Sequence, residues 1–325
     1  MIIDAHAHYV SPNVVAAVQS GTFGAALQWE DSGRFRFPQT RSRPFFSKMT
    51  DLEQRLARMD ELGVDVQVLS TWVDVFGYDL PEATAIAFHR AVNEGLANAV
   101  ARHPDRFRFV ASVPLPYGDA AAIVLEEAVG KLGAVGVMIG TNIHGRNLDN
   151  EEFEPLWRQA NSLSVPVILH PYNVAAAPRL QEYYLENLLG NPFDTTIAAT
   201  CLIFGGVLDR YSGLQVLLLH GGGYFPFAVG RLDHGFRVRP ETKTISRPPS
   251  SYLSRFHYDV IVYQPELLAM VAERVGVENV MLGSDYPFDM EPSNAVSLAV
   301  SGIEESRRVL EDNPARFFSM VDDSL

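Results

Sequence analysis

The chain reads as an α/β protein built as a distorted (β/α)8 (TIM) barrel. Three observations predict it: eight short apolar runs, a longer helix-like stretch after each, and an abrupt polar ending on several of the runs. Buried parallel strands read as continuous Val/Ile/Leu segments rather than alternating ones. Strict strand-then-helix alternation over roughly 250–400 residues is the signature of a closed parallel barrel.

The runs fall at 2–8, 64–71, 107–113, 136–140, 165–170, 214–220, 258–263 and 279–285. The helix-like stretches fall at 51–62, 82–102, 119–132, 151–163, 194–210, 223–235, 264–275 and 303–319. Local signals support several boundaries. Thr50 and Asp51 precede the 51–62 stretch as candidate N-caps, and Gly63 follows it as a C′ glycine. An open doubly wound sheet would carry a Gly-rich phosphate loop after its first strand. Here that strand ends in HAHY, and the contiguous Gly221, Gly222 and Gly223 lack the GxGxxG spacing.

Three stretches exceed ordinary loops: 9–50, 171–193 and 236–256. On a barrel they are expected as an inserted cap over the C-terminal face, where active sites lie. With no low-complexity linker, residues 1–325 read as one barrel domain with insertions.

Composition narrows the function classes. Lys and Arg number 26 against 39 Asp and Glu, a net charge of −13. That balance disfavours phosphate-backbone binding, so no nucleic-acid partner is expected. No apolar run reaches the ~18–20 residues of a membrane span, and the N-terminus lacks a basic leader. The single cysteine, Cys201, excludes an intramolecular disulfide framework and any CxxC metal site. A cytoplasmic globular protein is the expectation.

The chemistry sits at the run endings. His6 and His8 end the first run two residues apart, so both face one side of a strand. Two inward histidines in a packed interior are costly unless a metal ion or acceptors satisfy them. Asp4 lies one step lower on that face, as a supporting acceptor or a buried polar group. His170, His220 and Asp285 close three other runs. A lone strand-terminal histidine is usually structural, but parallel barrel strands end on one face, so these endings converge on one mouth. The remaining histidines read as structural or surface residues: His89, His103 at a helix end, His234 and His257. His144 faces the site side as a lesser candidate for substrate contact. Cys201 reads as a small core residue, and the pairs Glu304–Glu305 and Asp322–Asp323 as solvated charge.

H-x-H on the first strand, His on the fifth and sixth and Asp on the eighth resembles the amidohydrolase superfamily. DAHAHY, ILHP, HGGGYFPF and GSDYPF, with RMDELGVDVQVLST and NPARFF, are similar to its branch of α-amino-β-carboxymuconate-ε-semialdehyde decarboxylase and related non-oxidative decarboxylases. The similarity spans nearly the whole chain. It implies one Zn²⁺ per chain, replaceable by Mn²⁺, Co²⁺ or Fe²⁺, held by His6, His8, His170 and Asp285. His220 is implied as general base beside the metal, with Asp285 also relaying a proton. Binuclear members use a lysine at the end of strand four. This chain has none there, since Lys131 lies on the preceding helix, so a mononuclear site is implied. His170 is followed by Pro171, Tyr172 and Asn173 rather than the glutamate of adenosine-deaminase-like members.

The resemblance also implies a small anionic substrate bound by arginines. Arg231 matches an arginine contributed by a neighbouring subunit, implying a homodimer, and Arg239 matches one just downstream. A third arginine falls at Phe46 without gaps, so Arg43 or Arg41 takes the role after a small shift. Tyr172 and Phe288 complete the expected substrate contacts, while Asn187 stands where the family places a tryptophan. The implied function is decarboxylation of an aromatic or ring-cleavage carboxylic acid. The alternative is a metal-dependent hydrolase or hydratase acting on a C–C bond, lactone or enol acid in aromatic catabolism. A catalytically idle ligand-binding barrel is the third class, opposed by the complete set of ligand and acid/base residues.

Overall fold

A computed structural model describes residues 1–320. Asp322 and Asp323 lie outside the described residues. Eight parallel strands run in chain order: β1 Ile3–His8, β2 Val66–Ser70, β3 Phe107–Phe109, β4 Val137–Gly140, β5 Val167–His170, β6 Val216–Leu218, β7 Phe256–Asp259 and β8 Val280–Met281. β1, β2 and β3 form one arc, and β4 to β8 form a second in consecutive order. Backbone hydrogen bonds link the arcs at both seams. Ala111 N donates to Gly136 O and Met138 N to Ala111 O, joining the end of β3 to β4. Ala5 N donates to Leu282 O and His8 N to Tyr286 O, joining β1 to the chain leaving β8. The eight strands therefore complete a ring, with helices such as Glu82–Arg102, Gly118–Leu132 and Pro265–Val275 packed outside.

The ladders are shorter than the apolar runs. Residues 110–113 and 282–285 stay buried past the last regular ladder pair, so hydrophobicity there reports the barrel interior rather than strand length. Each fully buried Val, Leu or Ile contributes about 1.5–3 kcal/mol, and β1, β2, β4, β5, β6 and β8 are buried at every position.

Helix positions follow the expected pattern with three differences. Asp51 caps Leu52–Leu62 through Glu53 N and Gln54 N, and Gly63 closes it at φ 71°. The 194–210 stretch is two helices, Asn191–Phe204 and Val207–Arg210, broken where Gly206 turns left-handed at φ 71°. The last stretch begins late, at Arg308–Asp312 and Asn313–Phe317, while a separate helix occupies Ala295–Gly302. Within 9–50 lie a helix, Pro12–Gln19, and a hairpin pairing Gln28–Glu30 with Arg34–Arg36. Among the described residues no helix is long and apolar enough to cross a membrane.

Candidate metal centre and active site

His8 and His170 end β1 and β5, His220 follows β6, Asp259 ends β7 and Asp285 follows β8, so these residues converge at one barrel mouth. β1 carries one extra residue against β2 between Asp4 and Ala7. Such a bulge re-aims side chains, and here both His6 and His8 are buried in the centre.

Each of three imidazoles is fixed through its Nδ1. His6 Nδ1 donates to Asp259 Oδ2 at 2.9 Å, His8 Nδ1 to the Thr71 carbonyl at 2.9 Å and His170 Nδ1 to the Pro171 carbonyl at 2.8 Å. With Nδ1 protonated, the Nε2 of each neutral ring presents a lone pair. These point inward: His6 Nε2 and His8 Nε2 lie 3.3 Å apart, and Asp285 Oδ1 is 3.3 and 3.2 Å from them. One ligand atom from each of His6, His8, His170 and Asp285 falls within 4.8 Å of the other three. Converging lone pairs and a carboxylate oxygen repel one another unless a cation lies between them. This donor set, nitrogen and oxygen with imidazoles oriented by outer acceptors, fits a divalent transition ion.

His220 differs. Its Nε2 stands 3.6 Å from Asp285 Oδ2, and its buried Nδ1 has no partner. Nothing therefore fixes its tautomer. It stands beside the four-ligand group rather than in it, with ring centroids 5.4 Å from both His6 and His170. His220 and Asp285 both have left-handed backbones, at φ 56° and 60°, and non-Gly residues in that region cost of order 1–3 kcal/mol each. The three glycines after His220 make its placement achievable. All have positive φ, and a Cβ on Gly222 would meet the Tyr258 ring at 2.5 Å. They are a tight, side-chain-free turn from β6 into helix Phe225–Val238.

The electrostatics of the cluster are polarised. Burial opposes a charge on His6, yet Asp285 and Asp259 outweigh it and raise the ring to about 10. Burial pushes Asp285 up, but the charge on His6 and the neighbouring His220 and His8 rings hold it well below the usual carboxylate range. Burial, joined by the neighbouring His8, His220 and His6, keeps His170 well below an ordinary imidazole. Beneath the centre, Asp4 accepts from Ser284 Oγ, Ser284 N, Gln67 Nε2 and His6 N. It ties the strands carrying His6 and Asp285 together and touches no ligand ring. Arg55, fully buried, bonds the His8 carbonyl and donates to Gln67 at 2.6 Å.

Above the centre opens a cavity of about 480 Å³. His170, His220 and Asp285 line its floor, with Arg43, Tyr172 and Phe288 among its walls. Residues of 9–50 and 171–193 contribute to that lining and residues of 236–256 do not. Arg41 and Arg43 both reach it. Arg41 pairs with Glu30 at 3.0 Å, whereas Arg43 pairs with Asp74 and lies over Trp72 and Phe288, 5.2 and 5.8 Å from their centroids. Tyr172 is set by its backbone: its N–H donates to Thr141 Oγ1, and Asn142 Nδ2 donates to its carbonyl. Asp194 buttresses both side chains by accepting from Thr141 and Asn142.

Arg231 and Arg239 do not line this cavity within one chain. Arg231 is exposed on helix Phe225–Val238, and Arg239 pairs with Glu241 at 2.6 Å. His144 Nε2 donates to the Tyr78 carbonyl at 2.8 Å, and His144 is absent from the lining. His89 is buried against Ser112 Oγ at 2.8 Å.

Sequence reasoning missed Asp259, Gly283 and Asp74. Asp259 was legible as a lone carboxylate inside the apolar run YDVIVY. Gly283 matters because a Cβ there would meet Asp259 Cβ at 2.9 Å and His6 Cβ at 3.0 Å. No local signal distinguishes Asp74 from the chain's other acids.

The amidohydrolase family model matches residues 3–320. The chain is 31% identical over 294 residues to a 2-amino-3-carboxymuconate-6-semialdehyde decarboxylase of Dictyostelium discoideum, covering 89% of this chain and 82% of the relative. It is 27% identical to a gamma-resorcylate decarboxylase of Polaromonas, over 75% of this chain and 79% of that one. Among solved structures, 5-carboxyvanillate decarboxylase from Sphingomonas paucimobilis shares the fold at TM-score 0.83, with 23% identity and 98% of each chain covered. So does a Polaromonas dihydroxybenzoic acid decarboxylase with bound manganese and the inhibitor 2-nitroresorcinol, at TM-score 0.81, 22% identity and 98% and 97% coverage. The ring of eight parallel strands, the convergent histidines and aspartate, and a family match over nearly the full length agree: the chain belongs to the amidohydrolase family.

Proposed function

We propose that this protein is a zinc-dependent, non-oxidative decarboxylase of an aromatic or ring-cleavage carboxylic acid, working in the cytoplasm. One observation carries the reading. Three imidazoles with engaged Nδ1 atoms aim their Nε2 lone pairs at one point beside Asp285, under a cavity floored by the unfixed His220. The relatives named as decarboxylases of such acids supply the reaction class. His6, His8, His170 and Asp285 would hold the ion, which when bound supplies Lewis-acid polarisation of substrate oxygens.

The chain's residues would do the rest. Arg43 binds the carboxylate end-on, Phe288 and Tyr172 form the walls against the conjugated system, and the closed floor excludes bulk water. His220 exchanges a proton with the carbon that loses CO2, with Asp285 3.6 Å away as its charge partner. The C–C bond to the carboxylate breaks, its electron pair enters the conjugated system, and a proton takes the vacated position.

Within one chain the arginines reaching the cavity are already paired, Arg41 with Glu30 and Arg43 with Asp74. A homodimer supplies a further cation. Arg231 has no ion pair or hydrogen bond among the described residues, and Tyr224 and Phe227, at helical spacing from it, are exposed apolar groups. Arg231 would enter the neighbouring cavity.

The test is metal content together with CO2 release over a panel of aromatic and ring-cleavage acids. Near one zinc per chain and CO2 as product are expected. Full turnover after metal removal, or hydrolysis products without CO2, overturns the reading.

A further inference from the structure

The segment carrying Arg43 is fastened to the barrel at two points. Asp79 accepts from Gln39 N at 2.6 Å and Thr40 N at 3.0 Å. Asp74 accepts from Arg43 N at 2.6 Å and Arg43 Nε at 3.0 Å on one oxygen, and from Nη2 at 3.0 Å on the other. Both aspartates belong to the loop following β2, with Asp74 in the short turn Val73–Val75. Residues 39–43 are thereby held to the barrel rim by side-chain acceptors for main-chain donors, bonds that do not depend on which residues occupy those positions of the insertion.

At Arg43 the same carboxylate also sets the side chain. A free arginine side chain samples many rotamers, and a binding group held off its productive geometry loses its benefit. Asp74 takes the Nε and one Nη2 donor, leaving Nη1 and the outer edge of Nη2 for a second bidentate partner. The guanidinium plane is further confined by Trp72, itself 1% exposed, and by Phe288. Arg43 and Asp74 both line the cavity.

We propose that Asp74 is a positioning residue that fixes the outer guanidinium edge of Arg43 as the docking point for the substrate carboxylate. This rests on the reading of Arg43 as the carboxylate-binding group. Because Asp74 offsets the charge of Arg43, the contact selects a planar, two-oxygen group by geometry rather than any anion by attraction.

The test uses the full-length, zinc-loaded protein with two readouts. Arginine labelling by phenylglyoxal, mapped by mass spectrometry, reports whether Arg43 is held. Titration with 2,6-dihydroxybenzoate as the probe reports carboxylate docking. Asp74→Ala is expected to speed labelling of Arg43 several-fold and to weaken probe binding about tenfold, or about 1.4 kcal/mol. Asp74→Asn retains an acceptor for Arg43 N, folds as the parent does, and shows smaller shifts in the same direction. In an Arg43→Ala background Asp74→Ala adds no further loss, because the two act as one unit. Arg43→Ala weakening the probe while Asp74→Ala leaves labelling and affinity at the parent values overturns the positioning role and spares the reading of Arg43. Arg43→Ala binding the probe as the parent does overturns both. If the parent has no affinity for the probe, unchanged Arg43 labelling in Asp74→Ala overturns the positioning role and several-fold faster labelling supports it.

Discussion

Replacing Asp259 by asparagine changes one atom and forces a choice on the metal centre. Asp259 accepts from His6 Nδ1 on Oδ2, and from Gly221 N at 2.7 Å and Ile261 N at 3.1 Å on Oδ1. A carboxylate serves both sides because it has only acceptors. Asparagine has one acceptor end. If its oxygen stays on Gly221 and Ile261, its NH2 faces His6 and requires a lone pair on Nδ1, which moves the ring proton to Nε2, where a ligand lone pair is needed. If it flips, the NH2 opposes two buried backbone N–H groups, each costing about 1–3 kcal/mol unsatisfied.

Either way the loss falls on metal affinity or on the turn that places His220. Losing such an outer acceptor typically weakens metal binding by about 10–100-fold, or about 1.4–2.7 kcal/mol. The assay is zinc competition against a chromophoric chelator, with circular dichroism of the metal-free variant to show that it folds. Asp259→Asn binding zinc within about twofold of the parent refutes the tautomer argument.

Four further outcomes are expected. His220→Asn retains zinc but loses about 10²–10⁴-fold in CO2 release; loss of zinc instead would make His220 a ligand. In metal-free protein, the raised His6 contributes stability that is complete below its ordinary 6.5 and is lost as pH climbs through about 10. The depressed Asp285 contributes above its ordinary 3.8, and that is lost as pH falls through its lower folded value. His170, held well below an ordinary imidazole, costs stability as pH falls below 6.5. Melting temperature against pH should therefore peak near about 6.5, and zinc, which competes with the His6 proton, should bind more tightly as pH rises. Arg231→Ala is expected to weaken substrate binding, and mixing it with His220→Ala chains to restore part of the activity; inactive mixed dimers would refute a shared site.

The candidate ligands His6, His8, His170 and Asp285 were legible as one convergent group because strand periodicity and the common direction of parallel strands are local, additive facts. His6 and His8 share a face by spacing, and His170 and Asp285 share a mouth because every strand points the same way. The same logic did not separate His220 from the ligands. Only the resemblance implied a different role, and the structural distinction is its unpartnered Nδ1. The choice between Arg41 and Arg43 was likewise open in the sequence. Glu30 claims the first, while Trp72, Phe288 and Asp74 present the second at the cavity.

Residues acting through others left little trace in the chain. Asp259 and Asp74 act on groups 253 and 31 positions away, and no periodicity connects them to His6 or Arg43. Gly283 reads as an ordinary glycine until Asp259 and His6 press on it from two strands. The sequence alone pointed to the barrel and to the polar strand endings that converge on its mouth, because burial and alternation are properties of each strand. Tertiary structure alone decided the imidazole tautomers, the unfixed state of His220 and the pose of Arg43. Those depend on which acceptor sits within about 3 Å of a given nitrogen, a distance scale that only the packed chain defines.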